Sequence, residues 1–344
     1  MKKYHSTSLC IPSNRPYTES RRSIESGISY CRSRNESQLV LSDNSKDAEK
    51  HKIFQEKIRS PNRYLWNPDA NASANWIAAA EASDGDLIGF LADDDQIIYV
   101  NDATTDTNIN SASGMRPSVV VWDKTHGAIG LYNFDITSNN PSDRLKEYFN
   151  KCQGNNTTMY SHIKRNLWLS IARLLTHHPM PIGYYDWAIV LGYIAEGPIK
   201  ADKSTIYIYD NRNWRGSQEE INSSTQALFS KNGLPTRLSI FLSFFLAIDS
   251  FLIINRNDSS LQKREREDVA MFALICYLNN FLQNLNQRKK YLNAGEIQAI
   301  NGFQTCITKT SYLTQVRILL NAIDEKIAVN YDLFMSRSPE KLIW

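Results

Sequence analysis

The chain has 344 residues, of which 42% are hydrophobic and 22% are charged. This composition is ordinary for a globular protein, and the length allows a large core, so we expect one main domain with an appendage. The formal net charge of +3 is too small for a chain of this size to indicate nucleic-acid binding, and no zinc-finger, RNP or basic-zipper pattern occurs. Nucleic acid is therefore not an expected partner.

Other simple features limit the location of the protein. The five cysteines are scattered without C-x-x-C spacing, which favours a reducing compartment over a disulfide framework or a zinc site. The basic start is followed by a short apolar run and a proline, so we expect no secretory signal and a cytoplasmic protein.

The apolar stretch 238–254 contains Asp249 and is shorter than the roughly 20 residues that span a bilayer, which favours a core helix. The pair His177–His178 has no partner at i+3 or i+4, so we expect a loop or helix-end role for it.

The first hundred residues alternate short apolar runs with amphipathic stretches, which is typical of successive β-α-β units and a largely parallel sheet. The polar, aperiodic stretch 97–116 predicts a loop or lid. In chain order, the patterns predict strands at 8–12, 38–41, 63–66, 86–91, 118–122, 127–134 and 204–209. The predicted helices lie at 18–31 with Thr18 as its cap, 46–58, 72–82, 142–152, 161–175 and 187–194.

The sequence beyond residue 216 predicts helices almost to the end of the chain, with heptad-like apolar spacing around 269–285. We therefore expect two parts, a mixed α/β domain over 1–215 and a helical accessory region over 216–344. The predicted fold class is α/β, with a Rossmann-like, mostly parallel sheet flanked by helices and followed by an all-helical C-terminal region.

Polar loops follow three of the predicted early strands: Ser13–Arg15, Ser42–Asn44 and Asp93–Asp95. The carboxyl ends of parallel strands line the ligand crevice of such a sheet, so the three loops are expected to meet there. Carboxylates are suitable ligands for Mg²⁺ or Mn²⁺, and clustered acids repel each other unless a cation is present. Acid-rich turns at strand ends are also common without a metal, so both interpretations stay open.

Three segments stand in a recognisable order and spacing: LCIPSNRP, LVLSDNSKD and NASANWIAAAEASDGDLIGFLADDDQ. This order resembles the inverting family 2 glycosyltransferases of the GT-A type. Those domains begin with an IP-T-x-N-R strand end, continue with a V-D-D-G-S-x-D turn, and reach N-x-x-x-A-x-N before a GD-x-I-x-F-L-D-x-DD strand. The resemblance covers residues 8–96 well and 118–210 loosely, and it implies a GT-A fold that binds a nucleotide diphospho-sugar.

The resemblance assigns roles position by position. It implies that the uracil or ribose is bound by Asp43, although an Asx-turn is the structural alternative there. It makes Asp94 the ligand of Mn²⁺ or Mg²⁺, while the D-x-D spacing leaves open that Asp95 is the ligand and that Asp93 binds the ribose. The remaining residues implied to bind the nucleotide-sugar are Pro12, Ser13, Asn14, Arg15 and Asn75.

The family also carries a downstream acid that acts as general base, and Asp186 stands at the matching place before a predicted helix. Inversion needs a base because the acceptor hydroxyl must lose its proton as it attacks. The structural alternative for Asp186 is a role as the N-cap of this helix. The chain departs from the family pattern at Ala74, Ala92 and Tyr185, and one residue of the first loop is missing.

The expected function is therefore metal-dependent, inverting transfer of a sugar, with a UDP-sugar as the expected donor, to an acceptor hydroxyl in polysaccharide or glycoconjugate biosynthesis. Two alternatives stay open: a sugar-phosphate nucleotidyltransferase, and a non-catalytic scaffold that binds a sugar nucleotide. The helical region is compatible with acceptor binding, with homo-oligomerisation, and with contact at the inner face of a membrane. The sequence fixes neither the sugar nor the acceptor.

Overall fold

A computed structural model describes residues 6–34, 37–100, 111–176, 178–180, 186–211, 217–285 and 289–337. The chain divides into two compact units, which we call the sheet unit and the helical unit. The sheet unit comprises Met1–Thr176 and Tyr193–Arg212, and the helical unit comprises His177–Gly192 and Asn213–Trp344. The functions expected of these two parts remain predictions.

The sheet unit alternates strands and helices along the first part of the chain, as the apolar patterns predict. Its strands are β1 (Thr7–Ser13), β2 (Ser37–Asp43), β3 (Arg63–Trp66), β4 (Leu87–Phe90), β5 (Gln96–Tyr99), β6 (Gly114–Asp123), β7 (Gly127–Tyr132), β8 (His162–Lys164) and β9 (Ile199–Asp210). Its helices are α1 (Tyr17–Ser33), α2 (Ala48–Lys57), α3 (Ala72–Glu81), α4 (Pro141–Cys152) and α5 (Arg165–Leu175). Helix α6 (Asp186–Glu196) begins in the helical unit and ends in the sheet unit.

The described strands form one sheet in the order β3-β2-β1-β4-β8-β6-β9-β5, with β7 paired to β6. The first four strands are parallel neighbours, as are β6 and β9. Every residue of β1 is buried, because helices cover both faces of a central parallel strand. The predicted α/β fold class, with its helical C-terminal region, is confirmed.

Three local predictions are wrong. The region predicted as helix 161–175 begins with strand β8, which pairs with β4 and β6. The predicted loop 97–116 contains most of β5 and the start of β6, while its residues 101–110 lie outside the described chain. Thr18 lies inside α1, whose N-cap is Pro16, and the Pro16 carbonyl accepts the Ser20 N–H at 3.1 Å. Strands β5 and β8 are not predicted because the strands with which they pair lie far away in the sequence.

Helices α1 and α2 pack on one face of the parallel strands. Leu9, Leu39, Ile24 and Phe54 belong to this buried cluster. Helix α1 approaches β1 so closely that a Cβ atom added to Gly27 would lie 2.7 Å from Cδ1 of Ile11. This close packing fixes the distance between α1 and β1, and it thereby positions the loop at the carboxyl end of β1.

The helical unit continues with α7 (Gln218–Lys231), α8 (Leu242–Ile254), α9 (Lys263–Gln283), α10 (Ala294–Asn301), α11 (Lys309–Ile323) and α12 (Glu325–Arg337). The segment Thr236–Ile254 is the one described segment that is long and apolar enough to cross a membrane, judged by length and composition. All residues of α8 from Phe244 to Ile254 are buried, which agrees with the predicted core helix.

A polar contact lies inside the apolar core of the helical unit. His178 places its Nε2 atom 2.9 Å from Oδ1 of Asp249, and the Tyr331 hydroxyl donates to the same oxygen at 2.9 Å. Both His178 and Asp249 are buried. Among the described residues, no group of three or more His, Cys, Asp or Glu side chains is placed to hold a metal ion.

A buried polar network joins the end of α1 to β9 in the sheet unit. Nη1 of Arg34 donates to Oδ2 of Asp202 at 3.0 Å, and Asp202 is fully buried. The hydroxyl groups of Tyr30 and Thr205 also accept from Arg34. His162 stacks on Tyr30, and burial together with the Arg34 charge lowers the pKa of His162 to about 4. The imidazole is therefore neutral in the folded protein at pH 7.

We predict that the free energy of unfolding depends on His162 at acidic pH. A histidine in the unfolded chain titrates near pH 6.5, so its folded-state pKa is the lower of the two. The stability it confers is fully present above pH 6.5 and is lost as the pH falls toward 4. The free energy of unfolding, measured with denaturant, should therefore fall more steeply between pH 6.5 and pH 4.5 in the wild type than in His162→Gln. The exposed His126→Gln is the control, and parallel slopes for wild type and His162→Gln would contradict the prediction.

Candidate functional site

The polar loops after β1, β2 and β4 meet at one edge of the sheet, as the strand order predicts. The register of the parallel strands places Ser13 beside Asp43 and Asp43 beside Trp66. Strand β4 lies on the other side of β1, and the Leu91 N–H continues this pairing to the Cys10 carbonyl at 2.9 Å. The acidic stretch that follows β4 therefore reaches the first loop directly.

Asp93 holds the first loop. Its Oδ2 atom accepts from the Ser13 hydroxyl at 2.8 Å and from the backbone N–H groups of Asn14 and Arg15 at 3.0 Å each. Its Oδ1 atom accepts from Nε of Arg15 at 2.9 Å. Asp93 is buried, and hydrogen bonds to a charged acceptor are stronger than neutral ones. The carboxylate thus fixes both the backbone and one side chain of the loop.

Asp94 and Asp95 face different surroundings although they are neighbours in sequence. Asp94 is partly buried and pairs with Nη2 of Arg15 at 2.6 Å. The carboxylate of Asp95 accepts from the Tyr207 hydroxyl at 2.7 Å and from the Asp210 N–H at 2.8 Å. Burial raises the pKa of Asp95 to about 8, so this group is largely protonated at neutral pH. Asp95 therefore ties the acidic stretch to β9.

Asp43 is fully buried and has several partners. Nζ of Lys50 lies 3.1 Å from its Oδ1 atom, and the Tyr64 hydroxyl donates to its Oδ2 atom at 3.1 Å. The Ser45 N–H donates to Oδ1 at 2.9 Å, which is the Asx-turn that the sequence leaves open. Burial raises the pKa of Tyr64, and the Asp43 charge raises it further, so the phenol stays a donor.

Asn75 joins the second loop to α3. Its Oδ1 atom accepts from the Ser42 hydroxyl at 2.6 Å, and its Nδ2 atom donates to Oδ1 of Asn44 at 3.0 Å. Asn75 is buried, and Pro12 is buried within β1. These residues therefore shape the loops from within, whereas the side chain of Asn14 is exposed and those of Arg15, Asn44 and Asp94 are partly exposed.

Two site residues escape sequence reasoning. Lys50 is fully buried among the predicted site residues, and Trp66 at the end of β3 stacks on His51 with ring centroids 4.4 Å apart. Spacing offers a signal for Lys50, since it lies four residues before the buried Phe54 on the same face of α2. A lysine on an apolar helical face needs a buried partner.

Asp186 is the first residue of α6, and its carboxylate lies in the first turn of that helix. Negative charge is favourable at this end of a helix. Asp186 belongs to the helical unit, whereas the three loops belong to the sheet unit. Residues 181–185, which include Tyr185, lie outside the described residues.

No protein-family model matches the chain, and no curated protein matches it. Among solved structures, S. aureus TarS 1-349 is similar with 11% identity and a TM-score of 0.45, over 94% of this chain and 82% of that one. Its complex with UDP has 12% identity and a TM-score of 0.43 over the same shares. Its complex with UDP-GlcNAc has 11% identity and a TM-score of 0.43, over 95% of this chain and 92% of that one.

Proposed function

We propose that this protein is a glycosyltransferase that moves a sugar from a nucleotide diphospho-sugar, with UDP as the expected nucleotide, to an acceptor hydroxyl with inversion. One observation supports this proposal above the others: the three segments that resemble the family 2 motifs form a single hydrogen-bonded cluster at the carboxyl edge of the parallel strands. Asp93 joins the third segment to the first through Ser13, Asn14 and Arg15. A sheet edge of this kind is where nucleotides bind in open α/β folds.

The exposure of the side chains suggests how the nucleotide would be held. Asn14 is exposed, and Arg15 and Asn44 are partly exposed. Arg15 already donates to Asp93 and Asp94, and the Asn44 amide donates to the Ala70 carbonyl at 2.8 Å, so Asn14 and the remaining N–H groups of Arg15 and Asn44 are the proposed donors to the phosphates or ribose of the donor sugar. Asp43 is buried, so in this conformation it supports the base-binding loop rather than presenting a free carboxylate. A guanidinium is well suited to phosphate oxygens, which makes Arg15 the leading phosphate-binding candidate.

The charges in the cluster favour a divalent cation. Lys50 and Arg15 stand against the carboxylates of Asp43, Asp93 and Asp94, so the cluster has no surplus of positive charge for a diphosphate. We propose that Asp94 would hold Mn²⁺ or Mg²⁺, because its carboxylate is the least buried of the three and because Asp95 is engaged with β9. Such ions are bound by one or two carboxylates plus phosphate oxygens and water, and they stabilise a leaving diphosphate.

We further propose that Asp186 accepts the proton of the acceptor hydroxyl. This role rests on the resemblance and on the chemical need for a base in an inverting displacement. The helical unit is proposed as the accessory region for acceptor binding, self-association or contact with a membrane surface.

The metal assignment is tested with Asp94→Asn, which removes one charge and keeps the shape. UDP should bind the wild type more tightly with Mn²⁺ than without it, and this gain should be lost in the variant. Calorimetric titration of UDP, with and without Mn²⁺, measures both affinities. The control is Asp69→Asn, because the Asp69 side chain is 93% exposed. An equal gain from Mn²⁺ in Asp94→Asn and wild type would show that Asp94 is not the ligand.

The base assignment is tested with Asp186→Asn. We expect transfer, or hydrolysis of the UDP-sugar by water, to fall by about 10²–10⁴-fold while UDP-sugar affinity stays near the wild-type value. The control is Asp143→Asn, which removes an acid from the first turn of α4 together with its exposed ion pair to Lys146, and turnover should stay near the wild-type value. A lowered melting temperature with near-normal turnover in Asp186→Asn would leave this residue with a purely structural role.

A further inference from the structure

Lys50 lies beneath the candidate site, in the first turn of α2. The helix begins directly after the second loop, and its N-cap Asp47 accepts the Lys50 N–H at 3.0 Å. The Lys50 side chain is fully buried. A buried ammonium is costly unless each of its three N–H groups finds an acceptor.

The three acceptors of the Lys50 ammonium come from two loops of the site. Nζ donates to the Ser13 hydroxyl at 2.6 Å and to the Arg15 carbonyl oxygen at 2.8 Å. It also lies 3.1 Å from Oδ1 of Asp43. Two of the three partners therefore belong to the first loop, and the third belongs to the second loop.

These contacts do more than neutralise the Asp43 carboxylate. A buried ammonium needs acceptors for its remaining N–H groups, and both of these acceptors, the Ser13 hydroxyl and the Arg15 carbonyl, come from the first loop. Because the Ser13 hydroxyl in turn donates to Asp93, the chain of contacts runs from the second loop through Lys50 and the first loop to the acidic stretch. Burial lowers the pKa of Lys50, and the nearby Asp43 charge opposes that shift.

We propose that Lys50 is a positioning residue of the donor site, which fixes the backbone of the first loop so that the side chains of Asn14 and Arg15 face the nucleotide diphosphate. The proposal rests on the proposed function. It assigns to a residue of α2 a role that the resemblance to family 2 does not assign. Binding sites depend on such supporting contacts, because a loop that is free to shift holds its ligand poorly.

The test compares UDP binding to wild type, Lys50→Met and Lys52→Met in the full chain. Lys52 is exposed on the same helix and provides the matched control. We expect Lys50→Met to bind UDP at least about tenfold more weakly, since it loses charge-assisted hydrogen bonds, and Lys52→Met to bind as the wild type does. Circular dichroism and melting temperature of the same samples report the folded state.

The background Asp43→Asn separates positioning from charge neutralisation, and it also keeps the test usable if Lys50→Met alone does not fold. Removing both charges of a buried pair is often neutral for stability, so the double variant Asp43→Asn/Lys50→Met is expected to fold. If Lys50 positions the first loop, adding Lys50→Met to Asp43→Asn weakens UDP binding about tenfold further.

The remaining outcomes overturn the proposal. Unchanged UDP affinity in Lys50→Met, or a loss that disappears in the Asp43→Asn background, would show that Lys50 is only a counterion or a packing residue. Wild type that does not bind UDP would overturn the proposed function, and the role of Lys50 with it. Wild-type binding with an unaffected Lys50→Met would leave the proposed function standing and remove only this inference.

Discussion

The carboxylate of Asp93 is the interaction on which the candidate site depends. It accepts from the Ser13 hydroxyl, from the backbone of Asn14 and Arg15, and from the Arg15 guanidinium, all at 2.8–3.0 Å. Hydrogen bonds to an ionised acceptor are shorter and stronger than neutral ones, so a carboxylate is well suited to hold the neighbouring N–H groups of the loop end. Two segments that lie some 80 residues apart in the chain are thereby locked into one surface.

The other two buried carboxyl groups of the site, Asp43 and Asp95, are stabilised in two different ways. Asp43 is paired with a fully buried Lys50, and this contact and the Tyr64 hydroxyl replace water around its carboxylate. Burial raises the pKa of Asp95 to about 8, so a proton takes the place of a counterion, and the Tyr207 hydroxyl and the Asp210 N–H donate to its oxygens. Asp94 is left as the most accessible acid of the three that follow β4, with Arg15 as its partner. This division explains how three consecutive acids can follow one buried strand.

Local patterns predict the parts of the fold that depend on local burial. Strands β1 and β3 are predicted closely because apolar runs bounded by turn residues mark them, and the meeting of three loops follows from parallel pairing alone. Strand β5 pairs with β9 more than a hundred residues away, and β8 has three residues, so neither has a local signal. Side-chain contacts between distant segments also lack a local sequence signal. The D-x-D spacing does not distinguish Asp94 from Asp95, because the difference comes from Tyr207, a residue of β9.

The most direct test of the donor site is a crystal structure of the protein with UDP and Mn²⁺, in which anomalous scattering locates the metal. The geometry predicts UDP along the carboxyl ends of β1, β2 and β4, with its diphosphate within hydrogen-bond distance of Asn14 or Arg15 and with the manganese peak beside Asp94. UDP bound elsewhere on the chain, or a manganese site without Asp94, would contradict the assignment.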